Sequence, residues 1–173
     1  IKDIDRSVKK IKSKDLPFTI LQCTSIYPTP LEKVGLNMIE YFKERYNSNV
    51  GLSDHSGIIQ PGLAASSIGI KALEIHATFS KKIFGPDTSS SLDIEQITEL
   101  VEGIRIIEKL FNHSVDKNEI AKELEPMRKI FNKSVVYKKD LSSGSTLIKS
   151  DLSVKKPGIG IPSNEIKNII GKK

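Results

Sequence analysis

The sequence has no tryptophan, one cysteine and few aromatic residues, which make up 6% of its 173 positions. The single cysteine, Cys23, excludes an internal disulfide framework, and it also excludes a zinc site built from four thiolates of one chain. An unpaired cysteine in an apolar segment behaves as a small apolar side chain. We therefore expect Cys23 to be a buried residue of a strand.

Long apolar runs are also missing. No run approaches the roughly 18 residues that a transmembrane helix needs. The first residues, IKDIDRSVKKIKSK, contain no apolar stretch that could act as a signal sequence. The sequence therefore predicts a cytoplasmic protein that does not span a membrane.

The charge balance is moderately basic, with 27 Lys and Arg residues against 21 Asp and Glu residues and a net charge of +6. Such a charge suits either a nucleic-acid surface or anionic small molecules such as phosphates and carboxylates. The lysines are scattered among acidic residues, and no basic stripe carries the interleaved aromatic residues of an RNA-binding sheet. The distribution favours anionic small molecules and predicts no nucleic-acid partner.

Apolar segments typical of buried strands alternate with helical patterns in the first part of the chain. The strand patterns cover residues 17–25, 50–56 and 72–79. Helical patterns cover residues 31–46 and a segment that opens at Pro61 and is expected to stop at Gly69. Asp93 and Gln96 resemble a capping box at the start of a longer helix, whose apolar stripe is expected to contain Ile94, Ile97, Val101, Ile104, Ile107 and Leu110.

This alternation, at intervals of about 20 to 30 residues, is typical of an α/β protein with a parallel sheet, either doubly wound or a (βα)8 TIM barrel. The barrel is favoured because each strand pattern ends in polar residues, as the catalytic ends of barrel strands do. A barrel needs eight strands and about 200 residues or more, and three strand patterns are present. The chain also starts in helix-like sequence. We therefore expect it to be the C-terminal part of such a barrel and a fragment of a longer protein.

The pattern changes after residue 115. Residues 116–133 are interpreted as a connecting helix that is broken near Pro126. The remaining residues contain short strand-like pieces (SVVYKK, TLI, DLSVKK and PGIGIP) and a final short helix that Gly171 is expected to end. We predict a partial barrel domain over residues 1–115, a linker over 116–133 and a small β-rich domain over 134–173, the last of them truncated.

Two histidines and a carboxylate are predicted to converge at the ends of neighbouring strands. Alternate residues of a strand share a face, so Ser53 lies on the same face as His55, and Glu74 on the same face as His76. Neighbouring strands lie only about 4.8 Å apart. If both faces point into the barrel mouth, these side chains form a divalent-metal site with open positions, where the metal would act as a Lewis acid on a carbonyl oxygen. The alternative is that both histidines are core or rim residues with satisfied hydrogen bonds.

Asp87, in the loop GPDTSSS, and Tyr27, which precedes Pro28, each have two interpretations. Asp87 is explained by a plain turn with an Asx-type hydrogen bond, or it accepts hydrogen bonds from sugar hydroxyls. Tyr27 belongs to a structural turn, or it packs over a sugar ring.

Several segments, taken in order, resemble one known family: CTSIYPTP, GLSDHS, ALEIHATF, GPDTSSSL, DLSVKKPGIGIP and NIIGKK. They are similar to segments of the sialic acid synthases (N-acylneuraminate synthases), and the resemblance extends over essentially the whole chain. Members of this family join a (βα)8 barrel to a C-terminal SAF domain, which is similar to type III antifreeze proteins. The resemblance implies the last strands of the barrel in residues 1–115 and the first two-thirds of an SAF domain from residue 134.

The resemblance also implies a chemistry. In this family phosphoenolpyruvate condenses with the open-chain aldehyde of an N-acylated hexosamine such as N-acetylmannosamine, releasing phosphate and giving a nine-carbon 2-keto acid. Manganese (Mn²⁺) or magnesium (Mg²⁺) activates the aldehyde. By position, His55 and His76 correspond to the two metal ligands, and Glu74 corresponds to an acidic residue that transfers a proton or orders the aldehyde.

Substrate contacts and a domain-swapped homodimer follow from the same resemblance. Asp87 corresponds to a sugar-hydroxyl contact, with Ser53 and Tyr27 lining the same pocket. In family dimers the SAF domain covers the partner's active site, and the basic residue before Pro-Gly contacts the sugar; that position is Lys156. Many members carry arginine there, and lysine cannot reproduce a bidentate guanidinium contact. The identity of the acyl sugar is therefore left open.

Two other functions remain open at this point. A non-catalytic carbohydrate-binding or regulatory module, based on the antifreeze-like tail, would need neither His55 nor His76. Another metal-dependent barrel lyase acting on a keto acid would share the histidines but would not need the tail, and VKKPGIGIP argues against it. Because three barrel strands leave sheet edges exposed, we expect the chain alone to be unstable or inactive.

Overall fold

The computed structural model describes residues 1–173, which divide into two compact units, residues 1–113 and residues 114–173. The first unit contains a parallel sheet and four helices. Its elements, in chain order, are α1 (Lys2–Lys12), β1 (Thr19–Cys23), α2 (Asn37–Tyr46), β2 (Asn49–Asp54), α3 (Gln60–Ser67), β3 (Leu73–Ala77), β4 (Ser91–Leu92) and α4 (Ile94–Asn112).

The sheet has the strand order β1-β2-β3-β4, and all neighbouring strands are parallel. Each strand therefore lies next to its neighbour in sequence, and the connections between the first three strands contain α2 and α3. This is the βα repeat that the sequence predicts. The prediction of three strands was incomplete, because β4 is only two residues long and too short to show a strand period.

The helices cover one face of the sheet. Val50 and Leu52 of β2 belong to a buried cluster that also contains Val8, Val34, Ile39, Phe42, Tyr46 and Ala65. A second cluster joins Ile59, Leu92 and Leu100. Because successive residues of a strand point to opposite faces, Ser53 of β2 and its neighbours in register lie on the other face of the sheet.

Salt-bridged hydrogen bonds join α1 to α2. The Nε and Nη2 atoms of Arg45 donate to the two carboxylate oxygens of Asp5 at 2.8 Å each, and the Tyr46 hydroxyl donates to the same carboxylate at 2.8 Å. The hydrogen bond from Arg45, followed by that from Tyr46, lowers the pKa of Asp5 to about 2. The contacts of Asp5 with Arg45 and Tyr46 hold α1 against α2.

Two predictions about helices need correction. The pattern over residues 31–46 is split, because Gly35 has a φ of +76°; a 3₁₀ turn covers Leu31–Lys33, and α2 begins at Asn37. Its end at Asn47, which adopts a left-handed conformation, agrees with the prediction.

The apolar stripe predicted for α4 was also partly wrong. Leu100, which the prediction omitted, is the buried residue of this helix, while Ile94, Val101 and Leu110 are exposed. Gly103 explains the orientation, because its missing side chain lets Leu63 of α3 approach the helix backbone. The capping box formed by Asp93 and Gln96 is present as predicted.

The prediction that Cys23 is buried was wrong as well. The residue does end β1, but its side chain is exposed. The physical reason is that Cys23 lies on the face that the helices do not cover and on the edge strand β1, whereas Ser53 of the inner strand β2 is buried on the same face.

The second unit contains a two-stranded antiparallel sheet and short helices. Its elements are α5 (Lys117–Glu123), α6 (Glu125–Phe131), β5 (Ser134–Tyr137), β6 (Leu152–Lys155) and α7 (Ile166–Ile169). The segments TLI and PGIGIP form no strand, apart from a single bridge between Ser134 and Pro162. None of the helices in the chain has the length and apolar character needed to cross a membrane.

Candidate active site

A row of polar side chains crosses the face of the sheet that the helices leave uncovered. Cys23, Ser53 and Glu74 lie side by side in the register of β1, β2 and β3. The Ser53 hydroxyl donates to Glu74 Oε1 at 2.6 Å. A hydroxyl-to-carboxylate hydrogen bond of this length is among the stronger ones in proteins. It fixes one oxygen of Glu74 and leaves the other oxygen free for a small molecule.

His55 lies directly beyond this row, where β2 ends. The residue is only 4% exposed, and its Nε2 atom lies 3.4 Å from Cys23 Sγ, from the Tyr27 hydroxyl and from Ser53 Oγ. The distances are long for hydrogen bonds from the two hydroxyls, and the thiol is a weak partner, so none of the three binds Nε2 tightly. The other ring nitrogen, Nδ1, is buried without a hydrogen-bond partner.

Three rings meet at the carboxyl ends of β1, β2 and β3. The centroids of the His55 and His76 rings are 5.0 Å apart, and the Tyr27 ring lies 4.3 Å from His55 and 5.6 Å from His76. The condition set by the sequence, that the two strand faces carrying the histidines point the same way, is therefore met. Their convergence is the central geometric feature of the site.

Asp87 reaches the same cluster from the loop between β3 and β4. Its Oδ2 atom lies 3.7 Å from His76 Nδ1, which is within ion-pair range but too long for a hydrogen bond. The side chain of His76 is 31% exposed and that of Asp87 is 54% exposed. Asp87 thus forms the rim of the site, where it remains accessible to a ligand.

Thr29, which sequence reasoning missed, holds the loop that carries Tyr27. Its backbone N–H donates to the carbonyl oxygen of His55 at 2.9 Å. Its hydroxyl contacts the carbonyl oxygens of Ile26 and Thr24 at 2.7 and 3.1 Å, and the residue is buried. The sequence indicated this role only through the closeness of Thr29 to Tyr27, because a threonine between two prolines is not by itself a sign of a binding site.

Cys23 was also missed as a site residue, although the sequence contained a usable signal. Once β1 and β2 are paired in parallel, Cys23 falls opposite Ser53. The side-chain alternation of a strand then places its thiol on the same face as the two histidines.

The residues present fit a divalent cation with few protein ligands. Imidazole side chains are common metal ligands, the two rings lie 5.0 Å apart between centroids, and Nε2 of His55 is not held by a strong hydrogen bond. No group of three or more His, Cys, Asp and Glu side chains is arranged to hold a metal ion. A cation bound by His55 and His76 would therefore keep positions open for small molecules, as catalytic sites do and structural sites do not.

Lys156, the remaining predicted site residue, belongs to the second unit. It is the first residue after β6, and its ammonium group lies 5.0 Å from the centroid of the Phe131 ring. This distance is typical of a cation–π contact. Within its own unit, Lys156 is thus held beside an aromatic ring.

Comparison with known proteins bears on this arrangement. A model of the NeuB family matches residues 1–116, and a model of the SAF domain matches residues 132–173. The chain belongs to the NeuB family. Its fold is accordingly part of a (βα)8 barrel, followed by an SAF domain, as the sequence predicts.

Relatives from three organisms illustrate the range of the NeuB family. The chain is 37% identical over 153 residues to an N,N'-diacetyllegionaminic acid synthase of Legionella pneumophila, a match that covers 88% of this chain and 42% of the relative. It is 37% identical to the human N-acetylneuraminate-9-phosphate synthase, covering 94% of this chain and 45% of the relative. It is 32% identical to a pseudaminic acid synthase of Campylobacter jejuni, covering 95% and 47%.

A solved structure gives the same result for the NeuB fold. The N-acetylneuraminic acid (sialic acid) synthetase of Leptospira borgpetersenii matches with a TM-score of 0.65 and 28% identity, covering 74% of this chain and 47% of that one. The chain thus spans less than half the length of these relatives.

Proposed function

We propose that the protein containing this chain is a sialic acid (nonulosonic acid) synthase. In this reaction phosphoenolpyruvate condenses with the open-chain aldehyde of an N-acylated hexosamine, such as N-acetylmannosamine. Phosphate is released and a nine-carbon 2-keto acid is formed. The observation that carries the proposal is the convergence of His55 and His76, 5.0 Å apart between ring centroids, beside a carboxylate that a serine hydroxyl orients.

The two histidines are proposed to be the ligands of the metal cofactor, Mn²⁺ or Mg²⁺. Such a cation, when bound, supplies Lewis-acid polarisation of the aldehyde oxygen. His55 is well suited to a ligand role because its burial restricts the ring and its Nε2 makes no short hydrogen bond. His76 lies closer to the solvent and leaves one side of the site accessible to substrates.

Glu74 is proposed to transfer a proton or to order the aldehyde. The hydrogen bond of 2.6 Å from the Ser53 hydroxyl fixes the orientation of the Glu74 carboxylate, which lies in the row of side chains beside the histidines. A fixed carboxylate needs little reorganisation when charge develops at the reacting carbon, which is the condition for efficient acid or base catalysis.

The remaining predicted residues are proposed to bind the sugar. Asp87 offers an accessible carboxylate to a hydroxyl group, while Tyr27 and Ser53 line the same space. Lys156 is proposed to reach the sugar from the SAF domain of a partner chain in a domain-swapped homodimer. A cytoplasmic location and the domain boundaries at residues 115 and 134 also remain parts of this proposal.

The test is metal-dependent release of phosphate from phosphoenolpyruvate with a panel of N-acylated hexosamines, performed on the complete protein. We expect His55→Ala and His76→Ala each to lower turnover by roughly 100-fold or more, because Lewis-acid stabilisation is worth several kcal/mol. His113→Ala is the matched control, since this exposed histidine contacts only the carbonyl oxygen of Lys109.

Two results would count against the proposal. If no sugar in the panel gave phosphate, the non-catalytic carbohydrate-binding module would become the better interpretation. If turnover survived in both His55→Ala and His76→Ala, another pair of groups would have to perform the chemistry.

A further inference from the structure

Lys81 joins three segments of the chain at the edge of the site. The residue lies in the loop between β3 and β4, five positions after His76 in the sequence. Its ammonium group donates to the carbonyl oxygen of Gly57 at 2.8 Å, and it also donates to the carbonyl oxygen of Ser91. One side chain therefore links the loop that follows β2, the loop that follows β3 and the first residue of β4.

Each of the linked segments carries a residue of the candidate site. Gly57 is two positions after His55. Ser91 pairs in register with His76 across β3 and β4, and its hydroxyl donates to the carbonyl oxygen of Asp87 at 2.7 Å. The ammonium group of Lys81 is therefore connected to His55 through Gly57, and to His76 and Asp87 through Ser91.

The packing of the loops explains why a single ammonium group can hold them. Gly57 has a φ of +73°, and a Cβ atom at this position would overlap the backbone of Ser89. The loops that follow β2 and β3 thus touch through their backbones, and the carbonyl oxygens of Gly57 and Ser91 both accept from the Lys81 ammonium group. An ammonium group has three donors and no acceptor, so it can bind both carbonyl oxygens at once.

Asp87 needs this support because its own contact with the histidine is weak. The distance of 3.7 Å between Asp87 Oδ2 and His76 Nδ1 is too long for a hydrogen bond. The position of the carboxylate is therefore set by the backbone of the loop. Loops of this length are usually mobile unless side chains hold them.

We propose that Lys81 is a positioning residue, which ties the two loops to β4 and thereby fixes Asp87 beside His76. The inference rests on the proposed function as far as the role of Asp87 in sugar binding is concerned. The loop contact itself is independent of that function. The experiment therefore has one readout for the contact and another for substrate binding.

The principal variant is Lys81→Met, which keeps most of the apolar stem and removes the donors. Lys82→Met is the matched control, because the neighbouring lysine is exposed and its ammonium group makes no hydrogen bond. In the complete protein, we expect amide hydrogen exchange to rise by at least about tenfold at residues 55–58 and 87–92 in Lys81→Met only, because the loops open more readily once both hydrogen bonds from the charged ammonium group are lost.

Steady-state kinetics give the second readout. If Lys81 positions Asp87, the KM for the sugar rises in Lys81→Met by about tenfold or more, whereas the KM for phosphoenolpyruvate stays near the wild-type value. A general loss of structure would change both constants. Equal changes in the two constants, or exchange identical to that of Lys82→Met, would overturn the proposal.

A second variant keeps the test decisive if Lys81→Met does not fold. Lys81→Ala is measured with added n-propylammonium, which supplies the missing N–H donors, and with tetramethylammonium, which has the same charge but no N–H group. Slower exchange at residues 55–58 with the first cation alone supports the proposal, and slower exchange with both or neither overturns it. If the wild-type protein releases no phosphate with any sugar, the proposed function fails, while the exchange data still decide the role of Lys81.

Discussion

Replacing Gly57 by alanine is the sharpest test of the loop packing around the candidate site. Gly57 has a φ of +73°, and a Cβ atom there would lie 3.1 Å from the carbonyl carbon of Ser89 and 3.2 Å from the Cα of Ser90, closer still to the Ser89 oxygen. Two separate costs follow. The left-handed backbone costs alanine about 1 kcal/mol, and the overlap with backbone atoms costs about 1–3 kcal/mol more.

Gly69 provides a control for the first of these costs. It lies in the same unit and has nearly the same φ, +77°, but the only atom near its hypothetical Cβ is the flexible Nζ of Lys43 at 3.8 Å. Gly69→Ala should therefore lower the free energy of unfolding by about 1 kcal/mol, and Gly57→Ala by about 2–4 kcal/mol.

Urea unfolding of the complete protein, followed by far-UV circular dichroism, separates these two variants. With an m-value of about 1.5 kcal/mol per molar, the midpoint of Gly57→Ala should lie roughly 0.7–2 M below that of Gly69→Ala. Equal midpoints would refute the reasoning, because they would mean that the loops following β2 and β3 do not touch at Gly57.

The other predictions concern a helix cap and an ion pair. Asp93→Ala should lower the free energy of unfolding by about 1 kcal/mol, because the hydrogen bond that the Gln96 backbone N–H donates to the Asp93 carboxylate is lost. Asp93→Ser should retain most of the stability, and the same urea method measures both variants. The pKa of Asp5 is about 2 in the folded protein against an ordinary value of 3.8, so the stabilisation from its contact with Arg45 is present above pH 4 and lost as the pH falls towards 2. Urea midpoints measured between pH 6 and pH 2 should fall more steeply in the wild type than in Asp5→Asn, and parallel curves would contradict this assignment.

The repeated βα pattern and the position of the site could be read from the sequence because both depend on local periodicity. The strand patterns ending at Ser25 and Phe79 contain β1 and β3, and the pattern ending at Ser56 contains β2 except for its first residue, Asn49. Side-chain alternation pairs Ser53 with His55 and Glu74 with His76, and the register of β2 with β3 then brings the two histidines to a common face. The resemblance to a known family led to the same residues by an independent route.

Features that depend on contacts between distant segments could not be predicted in this way. The orientation of α4 is set by the close approach of Leu63 to Gly103, which no helical period reveals. The exposure of Cys23 follows from its place on the edge strand β1, on the face that the helices leave uncovered. Lys81 looks like any surface lysine until the carbonyl oxygens of Gly57 and Ser91 are brought together by the parallel pairing of the strands.

The close contact between the Tyr27 and His55 rings has an optical consequence. The chain has four tyrosines and no tryptophan. No indole of this chain therefore quenches tyrosine fluorescence by energy transfer. Tyr41 and Tyr46 belong to α2 and Tyr137 to β5, whereas Tyr27 lies 4.3 Å from a proposed metal-binding ring. A paramagnetic ion such as Mn²⁺ at His55 would quench mainly this one fluorophore. The chain therefore carries a native spectroscopic reporter, and a Tyr27→Phe variant identifies its share of the signal.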